Sequence, residues 1–424
     1  MREEWQSYAD FEEDEGGSAL LRQTPGPGSP PRPLANRDDL VEALDMMTEK
    51  RSSTRLSGLK KLKEAMQSCS ELELVHSQAD TCVDLLVRML KAKDSEAEAA
   101  AEALGTLCVC LGPDEDERFN LMYTPLCSII TRHKSPAVRV TALQALSIGC
   151  FICSTSDDRT EETLDLLMNV LARRSEGNPV SDDLCAAALQ GWGLLATTIS
   201  KRWLAGGGTD KMLPLLHACM GCDSMEVRMA AGENLALLQE AGAQCRAQAD
   251  DEEEASVEIG EEEDEGEGDG DVKSECYSDH DVEAENMALW EDVRSMVHDM
   301  VTESSKRLSK ESRKRQRKWF REIEGMLVDG EHPEEDIDLK NGIIEVRSWT
   351  DRKQLDALRT CLQGGFQIQM RSNEILRDIL PVTNWEDGIS MGHVSKKSRE
   401  HKQRSTHLKR ERASKQAMKD AVLA

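Results

Sequence analysis

The chain has few aromatic residues: seven Trp, five Phe and three Tyr, or 4% of 424 residues. Its interior must therefore be built from Leu, Ala, Val and Met, which suits stacked amphipathic helices. Proline is also scarce, at twelve, and five of those lie in PGPGSPPRP (25–33). No run approaches the ~18 apolar residues that span a bilayer, so no membrane partner is expected. The phosphate loop GxxxxGK[ST], the dinucleotide motif GxGxxG, the zinc motif HExxH and the nucleophile elbow GxSxG are all missing. These absences remove the usual sequence support for an enzyme, a cofactor or a small-molecule substrate. The first residues (MREEWQSYADFEEDEGG) are acidic and lack an apolar signal core. The expected location is the cytoplasm, with the nucleus as the alternative. The 13 cysteines then read as reduced thiols rather than a disulfide framework.

What the chain does have is repetition. Stretches beginning at Arg51, Asp94, Ser135, Ser181 and Ser224 follow at steps of 43, 41, 46 and 43 residues. The clearest copies are SPAVRVTALQAL (135–146) and SMEVRMAAGENL (224–235). Seven residues into each copy stands a small residue: Gly58, Ala101, Ala142, Ala188 and Ala231. Three residues in, Ala97, Val138, Leu184 and Val227 are apolar, and Thr54 departs. A period of roughly 40–47 residues is that of HEAT and armadillo helical pairs. The repeated block would form the second helix of each pair, its small residue admitting a close neighbour. First helices are expected near 39–50, 80–91, 120–132, 161–174 and 210–220. In the fourth, Leu164, Leu167, Met168 and Leu171 share one face.

Composition divides the rest. Residues 1–37, acidic and proline-rich, read as disordered, and the solenoid is expected over 38–245. Fourteen of the 22 residues 250–271 are acidic and none is basic, so 246–283 reads as an acidic disordered linker. A C-terminal domain is expected over 284–381. It starts with a helix in which Met287, Trp290, Val293, Met296, Val297, Met300 and Val301 recur at helical spacing, so that one face is expected to be buried. GIIEVRSW (342–349) follows as a strand, then a helix over 352–362, a turn at Gly364 and Gly365, FQIQM (366–370) as a second strand, and a closing helix over 373–380. Residues 382–424 form a linker and a basic helical tail. The fold class is mainly α: a HEAT/armadillo-like helical-repeat solenoid, a small α/β C-terminal module and a basic tail.

The net charge of −27 is unevenly spread. Residues 1–303 carry −34 and residues 304–424 carry +7, so the C-terminal end is the part suited to a polyanion. From 396 to 419 there are ten basic side chains, two acidic ones and no Gly or Pro. Lys396, Lys397, Arg399, Lys402, Arg404, Lys409, Arg410, Arg412 and Lys415 are the candidate nucleic-acid-binding residues, each able to neutralise a phosphate. Nine of the sixteen residues 306–321 are also basic, although Trp319 and Phe320 point to one face packing inward. Cys150/Cys153 and Cys219/Cys222 form two CxxC pairs. Their separation and their place in repeat helices favour buried apolar filling over a zinc site, so no metal is expected.

The chain resembles the interferon-related developmental regulator family. In the solenoid the resemblance rests on AEALGTLCVCLGP (101–113), AALQGWGLLATT (187–198) and VRMAAGENLALLQE (227–240). In the module it rests on SKESRKRQRKWFREI (309–323), IEVRSW (344–349), GGFQIQM (364–370) and NEILRDI (373–379). The resemblance implies a helical-repeat body without enzymatic activity and two possible roles. One is binding to idle ribosomes, through ribosomal RNA and protein, with the basic C-terminal helix in the mRNA channel. The other is transcriptional coregulation, bridging a transcription factor and a corepressor.

Overall fold

The computed structural model describes residues 34–175, 180–258, 279–302, 309–339 and 342–384. The expected disordered N-terminus, save its last residues, lies outside them, as does the whole basic tail.

The five repeats form as expected. The first helices are α1 (Arg37–Thr48), α4 (Ala79–Met89), α6 (Asp116–Arg132), α8 (Asp157–Ser175) and α11 (Thr209–Met220). The second helices are α2 (Ser52–Ser68), α5 (Asp94–Leu111), α7 (Pro136–Cys153), α9 (Asp182–Ala196) and α12 (Met225–Glu258). Short helices fill the connections: α3 (Leu72–Ser77), α10 (Lys201–Trp203) and a π-helical turn, Leu204–Gly208. The repeated blocks begin at these helices' N-termini. Ser135 precedes Pro136 at the first helical position, and Ser181 caps its helix by accepting from the Leu184 amide. All five small residues are buried. A Cβ on Gly58 would lie 2.9 Å from the Ala43 carbonyl oxygen, so α1 and α2 touch backbone to backbone there. The apolar third-offset residues Ala97, Val138, Leu184 and Val227 are fully buried, while Thr54 is half-exposed.

Successive second helices pack along their lengths, whereas successive first helices only touch. The second-helix layer is therefore the tighter, concave side of the solenoid. α7 is long and apolar enough to cross a membrane by composition, but most of it is buried inside the stack.

The stack has a sixth pair that the repeat signature does not show. α13 (Asp279–Thr302) packs on α11, and α14 (Lys310–Asp329) packs on α12 and α13. α13 runs antiparallel to α14, with Arg294 donating to the Leu327 carbonyl and His298 paired with Glu324. Ser309 caps α14 and stands 85 residues after Ser224, close to two repeat steps. At the seventh offset the small residue is replaced by buried Gln316, which accepts from Arg228 of α12. The expected linker also starts later than its composition implied, because α12 continues to Glu258 and α13 begins at Asp279.

After α14 come β1 (Glu335–Leu339), β2 (Gly342–Val346), α15 (Trp349–Leu362), a 3-10 turn (Gln363–Gly365), α16 (Phe366–Ser372), α17 (Glu374–Ile379) and β3 (Val382–Thr383). The strands form an antiparallel sheet in the order β1-β2-β3, with Ile337 opposite Ile344 and Ile344 opposite Val382. One expectation is corrected: FQIQM is helical, not a strand. Phe366, Gln369 and Met370 are its buried residues, a helical spacing that the alternation of Phe366, Ile368 and Met370 concealed.

Candidate functional surfaces: a sealed groove and a basic end

Solenoids of this kind commonly bind partners along the concave face. Here the chain's own C-terminal segment, α15 to α17, lies across it as a strap. α15 packs on α12 and α9 and touches α7 and α5, and α16 packs on α2. The strap thus runs from the late repeats back to the first.

Polar groups fix its register. Glu240 of α12, only 2% exposed, accepts from the backbone amides of Trp349 and Thr350 and from His332. A carboxylate at the first amides of α15 satisfies donors that a helix cannot pair internally and complements its dipole. Lys353 is 4% exposed and forms a 2.5 Å ion pair with Glu233 of α12. Gln354 donates to the Thr197 hydroxyl after α9. At the far end the logic reverses, and strap side chains serve solenoid carbonyls. Gln369 Nε2 donates to the Met66 and Cys69 carbonyls at the end of α2. Asn373 Nδ2 donates to the Val109 carbonyl near the end of α5. Both amides are fully buried, so each lost bond would strand an acceptor away from water.

Glycine permits the closest approaches. A Cβ on Gly365 would meet the Gln67 carbonyl oxygen at 2.4 Å. Gly112 has φ +83°, and a Cβ there would meet Ile375 Cδ1 at 2.2 Å. Apolar anchors complete the seam: Trp349, Leu355, Leu358, Leu362, Phe366 and Met370 are all buried. Arg352 stacks between the Trp319 and Trp349 rings, 5.3 Å from each centroid, and pairs with Glu322 of α14.

Asp356 is the unusual group on the strap. Burial, and then the negative charge of Glu233, push its carboxyl up to about 7, against the opposing pull of Arg352, Arg359 and Lys353.

The basic stretch at 306–321 divides by face. Gln316, Phe320 and Ile323 of α14 turn inward. Lys314, Arg315, Lys318 and Arg321 are exposed on the outer face, and Arg313 and Arg317 lie half-buried between. The nine tail candidates, Lys396 to Lys415, lie outside the described residues, as does PGPGSPPRP. The CxxC cysteines are placed as filling. Cys153 is fully buried with its thiol toward the Cys108 carbonyl, and Cys219 lies 3.9 Å from Cys185. Among the described residues no group of three or more His, Cys, Asp or Glu has the geometry to hold a metal ion.

The groove residues Glu233, Glu240, Lys353, Gln369 and Asn373 were not singled out from the sequence. Part of their signal was present: Glu233 and Glu240 flank the apolar run of Leu235 to Leu238 in α12.

Comparison with known proteins gives a consistent picture. A family profile described as "Interferon-related developmental regulator" matches residues 32–327, a span that ends within α14 and so takes in the sixth pair. The mouse protein "Interferon-related developmental regulator 2" is 28% identical over 364 residues, covering 81% of this chain and 74% of its own length. Human "Interferon-related developmental regulator 1" is 26% identical over 349 residues, covering 79% and 69%. Among solved structures, a designed armadillo repeat protein aligns over 67% of this chain and 99% of its own at 10% identity, with a TM-score of 0.39. An archaeal HEAT-like repeat protein from Thermococcus onnurineus aligns over 68% and 89% at 12% identity, with a TM-score of 0.38.

Proposed function

The chain belongs to the interferon-related developmental regulator family, and from that premise we propose that it is a non-catalytic, ribosome-binding repressor of translation. The observation that carries this reading is the charge asymmetry. A chain of net charge −27 gathers ten basic and two acidic side chains into 396–419. Such a segment releases counterions from RNA phosphates on binding and needs no base-specific contact. Lys396, Lys397, Arg399, Lys402, Arg404, Lys409, Arg410, Arg412 and Lys415 neutralise RNA backbone in a channel that mRNA would otherwise occupy. The solenoid and its strap serve as the rigid body that delivers this segment.

A second reading makes the chain a nuclear coregulator whose groove holds a transcription factor or corepressor. The strap counts against it, because the surface it requires is already filled by α15 to α17. An adaptor role would have to use the first-helix side.

The test is co-sedimentation of the full chain with ribosomes in a sucrose gradient. Replacing the nine tail cations with Gln should release the protein at moderate salt. Unchanged co-sedimentation of that variant would remove the tail from the mechanism.

A further inference from the structure

The outer face of α14 closes the C-terminal end of the solenoid. Every solenoid needs a polar cap on its terminal repeat, because an uncapped flank would expose the apolar surface meant for a neighbour. Polarity alone meets that need, and a cap does not have to be of one sign. The opposite end is capped by α1, which carries Asp38, Asp39, Glu42 and Asp45 against a single Arg37. The first twelve residues of α14, Lys310 to Arg321, hold seven basic side chains and one acidic. The rest of the chain is strongly acidic, so this basic cap is against the trend.

It is also against the interest of the helix. Two of the seven, Lys310 and Arg313, stand in the first turn, where a helix disfavours cations by about 0.3–1 kcal/mol each. Like charges four apart, as at Lys314 and Lys318, cost about 0.2–0.5 kcal/mol more. A solubilising cap of mixed sign would avoid both costs. The sequence accepts a local cost, which points to a use outside the helix.

The face has a definite shape. Lys314, Lys318 and Arg321 fall at i, i+4 and i+7 on one exposed row, with Arg315 beside it. At 1.5 Å per residue the row is about 10 Å long. Between Lys314 and Arg321 it contains no exposed apolar side chain that could seat in a protein pocket, which interfaces between proteins normally need; the exposed Val328 of α14 lies a further seven residues along. It offers no free ring on which an unpaired base could stack: Phe320 is buried, and the half-buried Trp319 ring is already covered by the Arg352 guanidinium. What remains is a straight row of cations, some of them forked guanidiniums matched to phosphate oxygens.

We propose that the exposed cations Lys314, Arg315, Lys318 and Arg321 of α14 form a second nucleic-acid interface, which grips the phosphate backbone of a duplex. It is separate from the tail, uses different residues and does not depend on the ribosomal role.

The experiment measures fluorescence anisotropy of labelled RNA and DNA duplexes of about 24 base pairs, titrated with full-length protein over ~50–300 mM KCl. Four proteins are compared: wild type, the cap variant (Lys314→Gln, Arg315→Gln, Lys318→Gln, Arg321→Gln), the nine-residue tail variant, and their combination. In the tail-variant background, loss of the four cap cations should weaken duplex binding at least about tenfold near 100 mM KCl. It should also lower the log–log salt slope by about 3, close to 0.9 per lost phosphate contact. Equal losses on RNA and DNA identify a backbone grip, and a larger loss on RNA identifies recognition of the A-form duplex. Affinity and slope left unchanged by the cap substitutions in the tail-variant background, with an unchanged melting temperature, would overturn the proposal. So would displacement of the duplex by a polyglutamate peptide at equal charge, which would identify an acidic protein as the occupant. A Lys314→Arg, Lys318→Arg variant should keep the slope, separating charge from any fault in folding. Ribosome co-sedimentation of the same four proteins reports on the tail independently.

Discussion

The concave face of the solenoid and the outer flank of its last helix are both rich in charged and polar groups, but the chain treats them in opposite ways. On the concave face Glu240, Lys353, Gln369 and Asn373 are buried, Glu233 is half-buried, and all are partnered across the strap. On α14, Lys314, Arg315, Lys318 and Arg321 stand in solvent, opposed by one acidic residue in twelve. In one region polarity specifies how the chain closes on itself. In the other it faces solvent. The surface that a repeat fold usually offers to partners is thus an internal seam here.

That contrast can be broken from the strap side first. Trp349→Ala removes the largest fully buried anchor on α15 and should cost about 3–5 kcal/mol in urea unfolding. If the strap were a loose occupant, the loss would be near zero. Lys353→Ala leaves the half-buried Glu233 without its cation and should cost up to about 3 kcal/mol, whereas replacing both partners with apolar residues should recover most of it. Gln369→Ala and Asn373→Ala should each cost about 1–3 kcal/mol by stranding carbonyl acceptors. Amide exchange should then rise first at the ends of α2 and α5.

A smaller effect depends on pH. Asp356 holds its proton to about 7 in the folded chain, against about 4 when unfolded. The folded state binds that proton more tightly, so this contribution to stability is full below about pH 4 and is lost as pH rises through 7. Asp356→Asn should flatten the decline in melting temperature between pH 5 and about 8. An unchanged decline would show that Asp356 titrates normally. The smallest stability change belongs to the basic cap, where the four Gln substitutions should stay within about 0.5 kcal/mol of wild type while nucleic-acid binding falls.

The repeats were legible in the sequence because their cause is local. A small seventh position recurs in all five second helices and an apolar third position in four, because a second helix must lie close to its neighbours; a serine opens three of the five copies. The sixth pair escaped because Gln316 takes the small residue's place and an acidic insertion interrupts the period. The strap escaped for a different reason. Its decisive bonds join residues 264 and 303 apart, Asn373 to Val109 and Gln369 to Met66, and no local pattern encodes such a meeting. FQIQM shows the cost of reading locally: its alternation suits a strand, yet the buried Gln369 is explained only by the carbonyls of α2. The basic stretch was legible as charge but not as a face, because only the packing of Gln316, Phe320 and Ile323 decides which cations point outward.

Hydrogen–deuterium exchange on the full-length protein, alone and saturated with ribosomes, tests the division between sealed groove and open ends most directly. The account predicts that peptides spanning 349–379 and the second helices keep their protection on binding, while new protection appears in 310–321 and 396–419. Deprotection of the strap on binding, with new protection on α2, α5, α7 and α9, would show that the groove opens to take a partner and would contradict it.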